Sequence, residues 1–531
     1  MKKFNLNRIK EPYIFYSVLA INLVLLIITK FYPSMDGPFH LYNSNLICHL
    51  IKGDCPSLNN FYIFNKYLIP NWSSHIILST FNFILPAWMA EKILLIVYLI
   101  GLTVSFRLLL KKLCPDNISL SIFIFPFAHS FLFHLGFYNY TLSFICLFFT
   151  LYFWFSTKDE HNIRKHIILF ILITLTYFTS ILTYCFLGLC LGLLTITSLI
   201  IEYLENRSVS ILINSIFKKL LLLFIVSLPS ILCFAVFYKT TIFFSTESRY
   251  SFNELIKWLN DVRPLIVYNY VGEEKITQQF LHIIIVIVSI SIYLRFRDNP
   301  SKDFSSKINR NDIFLLPVLV ALILFFIIPN GADAGMMSDR YCLMFYMLFI
   351  VWIVTLVIPK KVSQIIVFLI IIFHFGLLFK QFNGSIRNLN EDAKIVSKVS
   401  DRIEAGSVVL PVNISENWIE PHFSNYLGIE KPLVILENCE ASVGWFPLKW
   451  NFAKLPKVLL GDKTSVSGQQ WVNNTSSTTI KQIDYVFLLG NTAMIDDPQW
   501  NELKETLSAY YNLIYFTDNK YIELYRKKGG N

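Results

Sequence analysis

The chain has 531 residues, of which 54% are hydrophobic, 16% aromatic and only 15% charged, with a formal net charge of +10. A soluble globular domain carries about 25% charged and about 45–50% apolar residues, so this composition excludes a soluble protein, and its wealth of aromatic and β-branched residues excludes disorder. What remains is a polytopic membrane protein. The positive excess gathers in short loops between apolar runs, which fits the positive-inside bias better than a nucleic-acid partner.

A bilayer span needs about 20 apolar residues. Eleven spans are expected on that measure, at about 12–30, 87–110, 118–135, 138–156, 166–183, 185–203, 218–239, 279–295, 313–329, 341–358 and 362–380. The apolar stretch 166–204 is too long for one span and reads as a tight hairpin turning at Thr179, Ser180 and Thr183. Lys2, Lys3, Arg8 and Lys10 precede the first span, and every second loop is basic: Arg107, Lys111 and Lys112; Lys158, Arg164 and Lys165; Arg207, Lys218 and Lys219; Arg295, Arg297, Lys302, Lys307 and Arg310; Lys360 and Lys361. This bias puts the N-terminus in the cytoplasm and, after eleven spans, the C-terminus outside. The first span reads as a retained anchor. It is followed by Phe31-Tyr32-Pro33-Ser34-Met35-Asp36 and not by a small-residue cleavage site.

Two outside loops are long. Residues 31–86 contain amphipathic stretches, such as 71–85, suited to the membrane interface. Residues 240–278 contain a short amphipathic helix that starts at a Ser251 cap. The tail then changes character: runs at 408–411, 433–436 and 485–489 read as buried strands, and 391–404 and 498–510 as helices. The expected fold is therefore an α-helical polytopic membrane protein with about 11 transmembrane helices. Residues 1–380 form the membrane module and 381–531 a soluble extracytoplasmic α/β domain. Nine cysteines are scattered without CxxC spacing, and Cys48 and Cys55 share the first loop, where they could pair in an oxidising compartment.

Four places could carry chemistry. The first loop opens Met35-Asp36-Gly37-Pro38-Phe39-His40, an acid at the membrane surface with His40 four residues on, hence on one face of a helix. Asp before Gly-Pro is equally a helix cap, and a helix N-terminus also favours anions. The second place, Asn330-Gly331-Ala332-Asp333-Ala334-Gly335-Met336-Met337-Ser338-Asp339-Arg340, is a small-residue loop ending in an acid–base pair. Arg340 suits bidentate phosphate binding as well as interfacial snorkelling. The third joins His129 to His134, Tyr138 and Asn139, either a cavity lining or an aromatic belt. The two histidines are five apart, which misses the i, i+4 metal pair. The fourth lies in the tail, from His422 and Tyr426 through Glu437, Glu440 and Trp445 to Trp450, where aromatics suit either sugar faces or a core.

The layout resembles the GT-C type of polytopic glycosyltransferases, which use polyprenyl-phosphate-linked sugars. The resemblance rests on Asp36 at the start of the first outside loop, the length of that loop, and many spans followed by an outside α/β tail. The His134–Tyr140 block, Asp339-Arg340 and the run from His422 to Pro447 look like uncharacterised bacterial members. It implies a sugar transferred with inversion from a polyprenyl-phosphate donor to an acceptor hydroxyl on a lipid or glycan. Asp36 would be the general base, Arg340 would stabilise the lipid phosphate, and His40 would orient Asp36 or touch that phosphate. His129, His134, Tyr138, Asn139, Asp339, His422 and Trp445 would line the cavity. It also implies a bacterial inner-membrane protein of cell-envelope glycan biosynthesis. Many relatives carry two adjacent acids in this loop, whereas Gly37 follows Asp36 here and the next acid is Asp54. No metal ligands are assigned and no cofactor is certain; a divalent metal stays open.

No P-loop, GxSxG, HExxH or Rossmann glycine fingerprint occurs. A nucleotide-fuelled pump in one chain is excluded. The competing readings are a glycan polymerase or ligase, which would carry its long catalytic loop late in the chain, a multi-span transporter or flippase, which would show inverted repeats and intramembrane polar sites, and a scaffold without activity.

Overall fold

The computed structural model describes residues 11–157, 163–206, 209–241, 248–297, 310–331, 335–456 and 482–529. The basic residues Lys2, Lys3, Arg8, Lys10, Lys158, Arg207, Lys302 and Lys307, and Asp333 of the late loop, lie outside the described residues. Among the described residues, 8 helices are long and apolar enough to cross a membrane. They begin with Glu11–Ile28 and Ala87–Leu113 and end with Met337–Val354 and the helix starting at Lys360.

The difference from eleven has local causes. The segment expected at 118–135 is not one span: it breaks into a 3-10 helix Pro115–Phe123 and two short helices, Ile124–Ala128 and Phe131–His134. Pro126 removes a backbone donor inside this segment, and His129 has left helical geometry at φ −108°, ψ 42°. The expected hairpin is present as helices Ile163–Thr179 and Ile181–Asn206, parted at Ser180; the first has 17 residues, at the short end of the range for a span. The ninth expected span shortens to Leu315–Ile327, with 13 residues.

The chain divides into two compact units. One comprises residues 1–26, 96–134 and 140–385. In this unit Met337–Val354 is almost entirely buried, whereas Val209–Thr240 and Tyr270–Arg297 present Leu232, Ile225, Ile285 and Val286 outward. Apolar residues so displayed on long helices suit lipid tails, not water. Within the unit, Asn22 Oδ1 accepts from Nε2 of both His129 and His374 at 2.9 Å. This buried link ties three helical segments. The expected Ser251 cap is present with a complete capping box, in which Glu254 N donates to Ser251 Oγ and Ser251 N donates to Glu254.

The other unit comprises residues 27–95, 135–139 and 386–531. Its sheet holds β2 (Val408–Ile414), β3 (Val434–Ile435), β5 (Tyr485–Gly490), β6 (Tyr511–Phe516) and β7 (Ile522–Lys527), in the order β3-β2-β5-β7-β6. β3, β2 and β5 run parallel; β7 is antiparallel to both its neighbours. The unbroken apolar run of β5, Val486 to Leu489, is fully buried, as strands covered on both faces require. A second ladder pairs β1 (Tyr62–Phe64) of the first loop with β4 (Leu448–Trp450) of the tail. The loop and the tail thus form one core, in which Tyr62 stacks on Trp450 at 4.5 Å. Cys48 and Cys55 are separate free thiols. Cys48 Sγ donates to the Ser79 carbonyl at 3.3 Å.

Candidate active site

Helix Gly37–Lys52 is written by its ends. Pro38 presets the first turn, and Gly53, at φ 69°, closes the last by donating its N–H to the His49 carbonyl. Its polar positions face the tail of the same unit. Tyr42 Oη donates to the Leu433 carbonyl at 2.7 Å and accepts from Ile435 N at 3.0 Å. Asn43 and Asn438 exchange side-chain hydrogen bonds, and Asn45 Nδ2 donates to the Gly428 carbonyl. A row of polar residues that would be costly to bury alone becomes a set of satisfied contacts.

Asp36 stands at the N-cap of this helix, but its side chain makes no cap hydrogen bond. Its backbone is held instead: Asp36 N donates to the Leu135 carbonyl at 2.9 Å. Gly136, at φ 84°, lies so close that a Cβ there would stand 2.6 Å from Gly37 N. Tyr138 Oη lies 3.0 Å from Ser34 Oγ, which accepts from Gly37 N, so this expected cavity residue braces the helix start. Asn139 Oδ1 accepts from Ser74 N and anchors the start of helix Ser73–Asn82.

The Asp36 carboxylate is 23% exposed, and its Oδ1 lies 3.7 Å from His422 Nε2. The His422 ring packs on Phe39 with centroids 4.0 Å apart. Glu437, fully buried, faces the other ring nitrogen, with Nδ1 to Oε1 at 2.5 Å, and also accepts from Ser424 Oγ and Asn425 Nδ2. The imidazole is thus held between two carboxylates, Glu437 at Nδ1 and Asp36 at Nε2. The order Glu437–His422–Asp36 is thus a buried orienting acid, an imidazole and a part-exposed carboxylate.

His40 belongs to a second buried group. Its Nε2 lies 3.0 Å from the Gly136 carbonyl and its Nδ1 2.9 Å from Glu440 Oε1. His75 Nε2 lies 2.9 Å from Glu440 Oε2. The ligand atoms of His40, His75 and Glu440 all fall within 4.8 Å of one another, a set that could hold a divalent metal. Burial opposes charge on the Glu440 carboxyl, yet the two imidazoles beside it outweigh that and hold it well below the usual carboxylate range. For His40 burial again opposes charge, and the Glu440 carboxylate wins and raises it.

The remaining expected residues divide as the units do. Trp445 belongs with Asp36, and its carbonyl accepts from Asn71 Nδ2. His129, His134, Asp339 and Arg340 belong to the membrane-rich unit. There the adjacent Asp339 and Arg340 each have further partners. Asp339 Oδ1 forms an ion pair with Arg263 Nε at 3.3 Å, while Arg340 Nε donates to the Gly335 carbonyl and its guanidinium stacks over Tyr140 at 5.3 Å. His134 Nδ1 lies 2.9 Å from Tyr268 Oη, and the His129 and His134 rings are 6.4 Å apart.

Fold and site together define a polytopic helical membrane protein carrying a carboxylate–imidazole–carboxylate chain in its loop-and-tail unit. Two crystal structures of ArnT from Cupriavidus metallidurans are similar to it along nearly their whole length. The apo state matches at 11% identity and TM-score 0.43, covering 96% of this chain and 97% of that one. The structure bound to undecaprenyl phosphate matches at 10% identity and TM-score 0.40, with the same coverage. No protein-family profile matches the sequence, and no curated protein matches it.

Proposed function

We propose that the protein is an integral membrane glycosyltransferase of the GT-C type, moving a sugar from a polyprenyl-phosphate carrier to an acceptor hydroxyl on the extracytoplasmic face of a bacterial inner membrane. The observation that carries this reading is the Asp36 carboxylate. It is placed at a helix start without capping it, with an oriented imidazole, His422 Nε2, 3.7 Å away. A group that only capped would have turned its oxygens onto the helix amides.

In the reaction, Asp36 takes the proton of the acceptor hydroxyl while that oxygen bonds to the anomeric carbon. The bond from that carbon to the lipid phosphate oxygen breaks, and the lipid phosphate leaves with the electron pair, inverting the centre. His422 is the relay for the proton that Asp36 collects, and Glu437 fixes the His422 tautomer. Arg340 is assigned to the departing phosphate, because a guanidinium matches phosphate geometry and charge. A divalent metal, if bound, would be held by His40, His75 and Glu440 and would supply positive charge near the helix that carries Asp36.

The test uses detergent-purified protein in liposomes with radiolabelled polyprenyl-phosphate sugars and a cell-envelope extract as acceptor. Release of polyprenyl phosphate and label transfer are followed together. Asp36→Asn keeps wild-type thermal stability and loses transfer by ~10²-fold or more, the lower range for a positioned base. Transfer by that variant at the wild-type rate would refute the base assignment.

A further inference from the structure

We propose that a groove in the tail holds an anionic saccharide and grips the acceptor glycan away from its reacting hydroxyl. The binding stands by itself; naming the saccharide as the acceptor rests on the transferase reading.

The groove has a volume of about 510 Å³ and lies where helix Asn501–Tyr510 packs on β6, beside β7. That size is in the range of small-molecule sites, but the lining is mainly polar, which excludes an apolar ligand. Lys504, Lys520 and Lys528 line it together with Asp496 and Glu523, so positive charge is in excess. Lys504 Nζ meets Asp496 Oδ1 at 2.5 Å, and Lys528 Nζ donates to the Ser508 carbonyl at 2.6 Å. The Lys504 amine, with Lys520 adding to it, holds the Asp496 carboxyl below the usual carboxylate range, so the charge of exposed Lys520 reaches the groove. Amines and carboxylates side by side suit a molecule rich in hydroxyls that carries some acid groups. The carboxylates accept from its hydroxyls, and the amines meet its anions.

The backbone of Lys520 is the second observation. It is left-handed, at φ 52°, in the turn between β6 and β7, where glycine or asparagine is the usual residue. The turn is clamped from both sides. Lys520 N donates to the Thr517 carbonyl at 2.9 Å, and the Lys520 carbonyl accepts from Thr492 N at 2.8 Å and Thr492 Oγ1 at 3.0 Å. A lysine is thus kept against its backbone preference, and such strain gathers at ligand-binding positions.

The sheet sets the groove's relation to Asp36 within the same unit. Thr492 and Asp496 follow the carboxyl end of β5, just as His422 follows that of β2 and Glu437 that of β3. These three strands are parallel, so all four residues belong to one end of the sheet. Ligands of open α/β sheets bind at that end. Neighbouring strands stand about 4.8 Å apart, which puts the groove roughly 10–20 Å along the sheet from the partners of Asp36. A chain of a few sugars spans that gap.

The full-length protein in nanodiscs is titrated at low salt, without donor lipid, by microscale thermophoresis. The probes are hexagalacturonate, pentamannosyl phosphate, the neutral maltohexaose and inorganic phosphate; the first two tell a carboxylate preference from a phosphate one. The expected result is binding of an acidic oligosaccharide with Kd below roughly 1 mM, at least ~10-fold tighter than maltohexaose, the worth of one charge-assisted hydrogen bond. Lys520→Asn keeps the left-handed turn and weakens that binding by ~10-fold. Lys454→Ala, at an exposed lysine outside the groove, leaves it as in the wild type. If Lys520→Asn fails to fold, carbodiimide coupling of hexagalacturonate to the wild type decides, read by peptide mass spectrometry. Amide adducts on Lys504, Lys520 or Lys528 support the groove; adducts only elsewhere overturn it. Failure of both acidic probes, equal binding of maltohexaose, or binding of inorganic phosphate alone also overturns it. Because no donor is present, a protein that binds the oligosaccharide yet never transfers sugar refutes the transferase reading and not the groove.

Discussion

Gly136→Ala isolates the contact that sets the height of Asp36. Gly136 has φ 84°, and a Cβ there would stand 2.6 Å from Gly37 N, 2.9 Å from Asp36 N and 3.0 Å from Asp36 C. All three atoms are backbone, so no flexible side chain can swing aside. A left-handed backbone costs an alanine roughly 1–2 kcal/mol, and forced overpacking about 1–3 kcal/mol more. Loss of unfolded-state freedom returns about 0.4–1 kcal/mol. The net destabilisation is roughly 1–5 kcal/mol, or a fall of about 6–12 °C mid-range for a unit of this size. Gly53→Ala is the internal control. It shares the left-handed backbone, at φ 69°, but nothing lies within 4 Å of its Cβ, so only the conformational cost applies and the fall is at most about 3–6 °C. Both variants are compared with wild type by scanning fluorimetry in one detergent. Equal falls would refute the close approach of the 135–139 turn to Asp36. A larger fall for Gly136→Ala, with transfer reduced beyond the loss of folded protein, supports it, since an ångström of misplacement can cost on the order of 10²-fold in rate.

Two further variants test single side chains. Glu437→Gln keeps the shape but gives His422 an amide in place of a carboxylate, so the imidazole is no longer held in one tautomer. Transfer should fall by ~10²-fold or more while the protein stays folded, because a wrong tautomer is costlier than a lost contact; unaltered turnover would reduce Glu437 to a structural acceptor for Ser424 and Asn425. Arg340→Ala should weaken binding of a polyprenyl phosphate, measured by lipid-dependent thermal shift, by roughly 10-fold or more, the worth of a charge-assisted hydrogen bond. An unchanged shift would leave Arg340 as an anchor that stacks on Tyr140.

Much of the fold can be read from composition and period. Spans announce themselves because a bilayer tolerates only long apolar helices, and the tail strands at 408, 434 and 485 stand out as short buried runs between breakers. The segment 118–135 misleads for the same reason. Its apolar letters satisfy a hydropathy window, while Pro126 and the turn at His129 break the helix, and a window sums hydrophobicity without asking whether backbone hydrogen bonds continue. The pairing of β1 with β4 is invisible for a different reason: Tyr62 and Trp450 meet across nearly the whole chain, and three-residue strands carry no period to read.

The site divides along the same line. Asp36, His40 and His422 can be picked out singly, because an acid behind a span or a histidine in a loop is conspicuous. Their partners cannot. Glu437 and Glu440 sit in a tail run whose Trp445 and Phe446 draw attention to aromatics, and His75 lies in an amphipathic stretch that reads as an interfacial helix. Only folding brings 40, 75 and 440 within 4.8 Å. The same long-range closure explains why the first loop is polar at Tyr42, Asn43 and Asn45: each side chain has its partner in the tail. A loop evolved only to lie on lipid would carry an apolar face at these positions. A loop that must present one carboxylate at a fixed height instead needs a rigid partner on its other face, and the tail core supplies it. The α/β tail is therefore part of the machinery that positions Asp36, so truncation before β2 removes Glu437, Glu440 and His422 together and leaves that helix without its buried contacts.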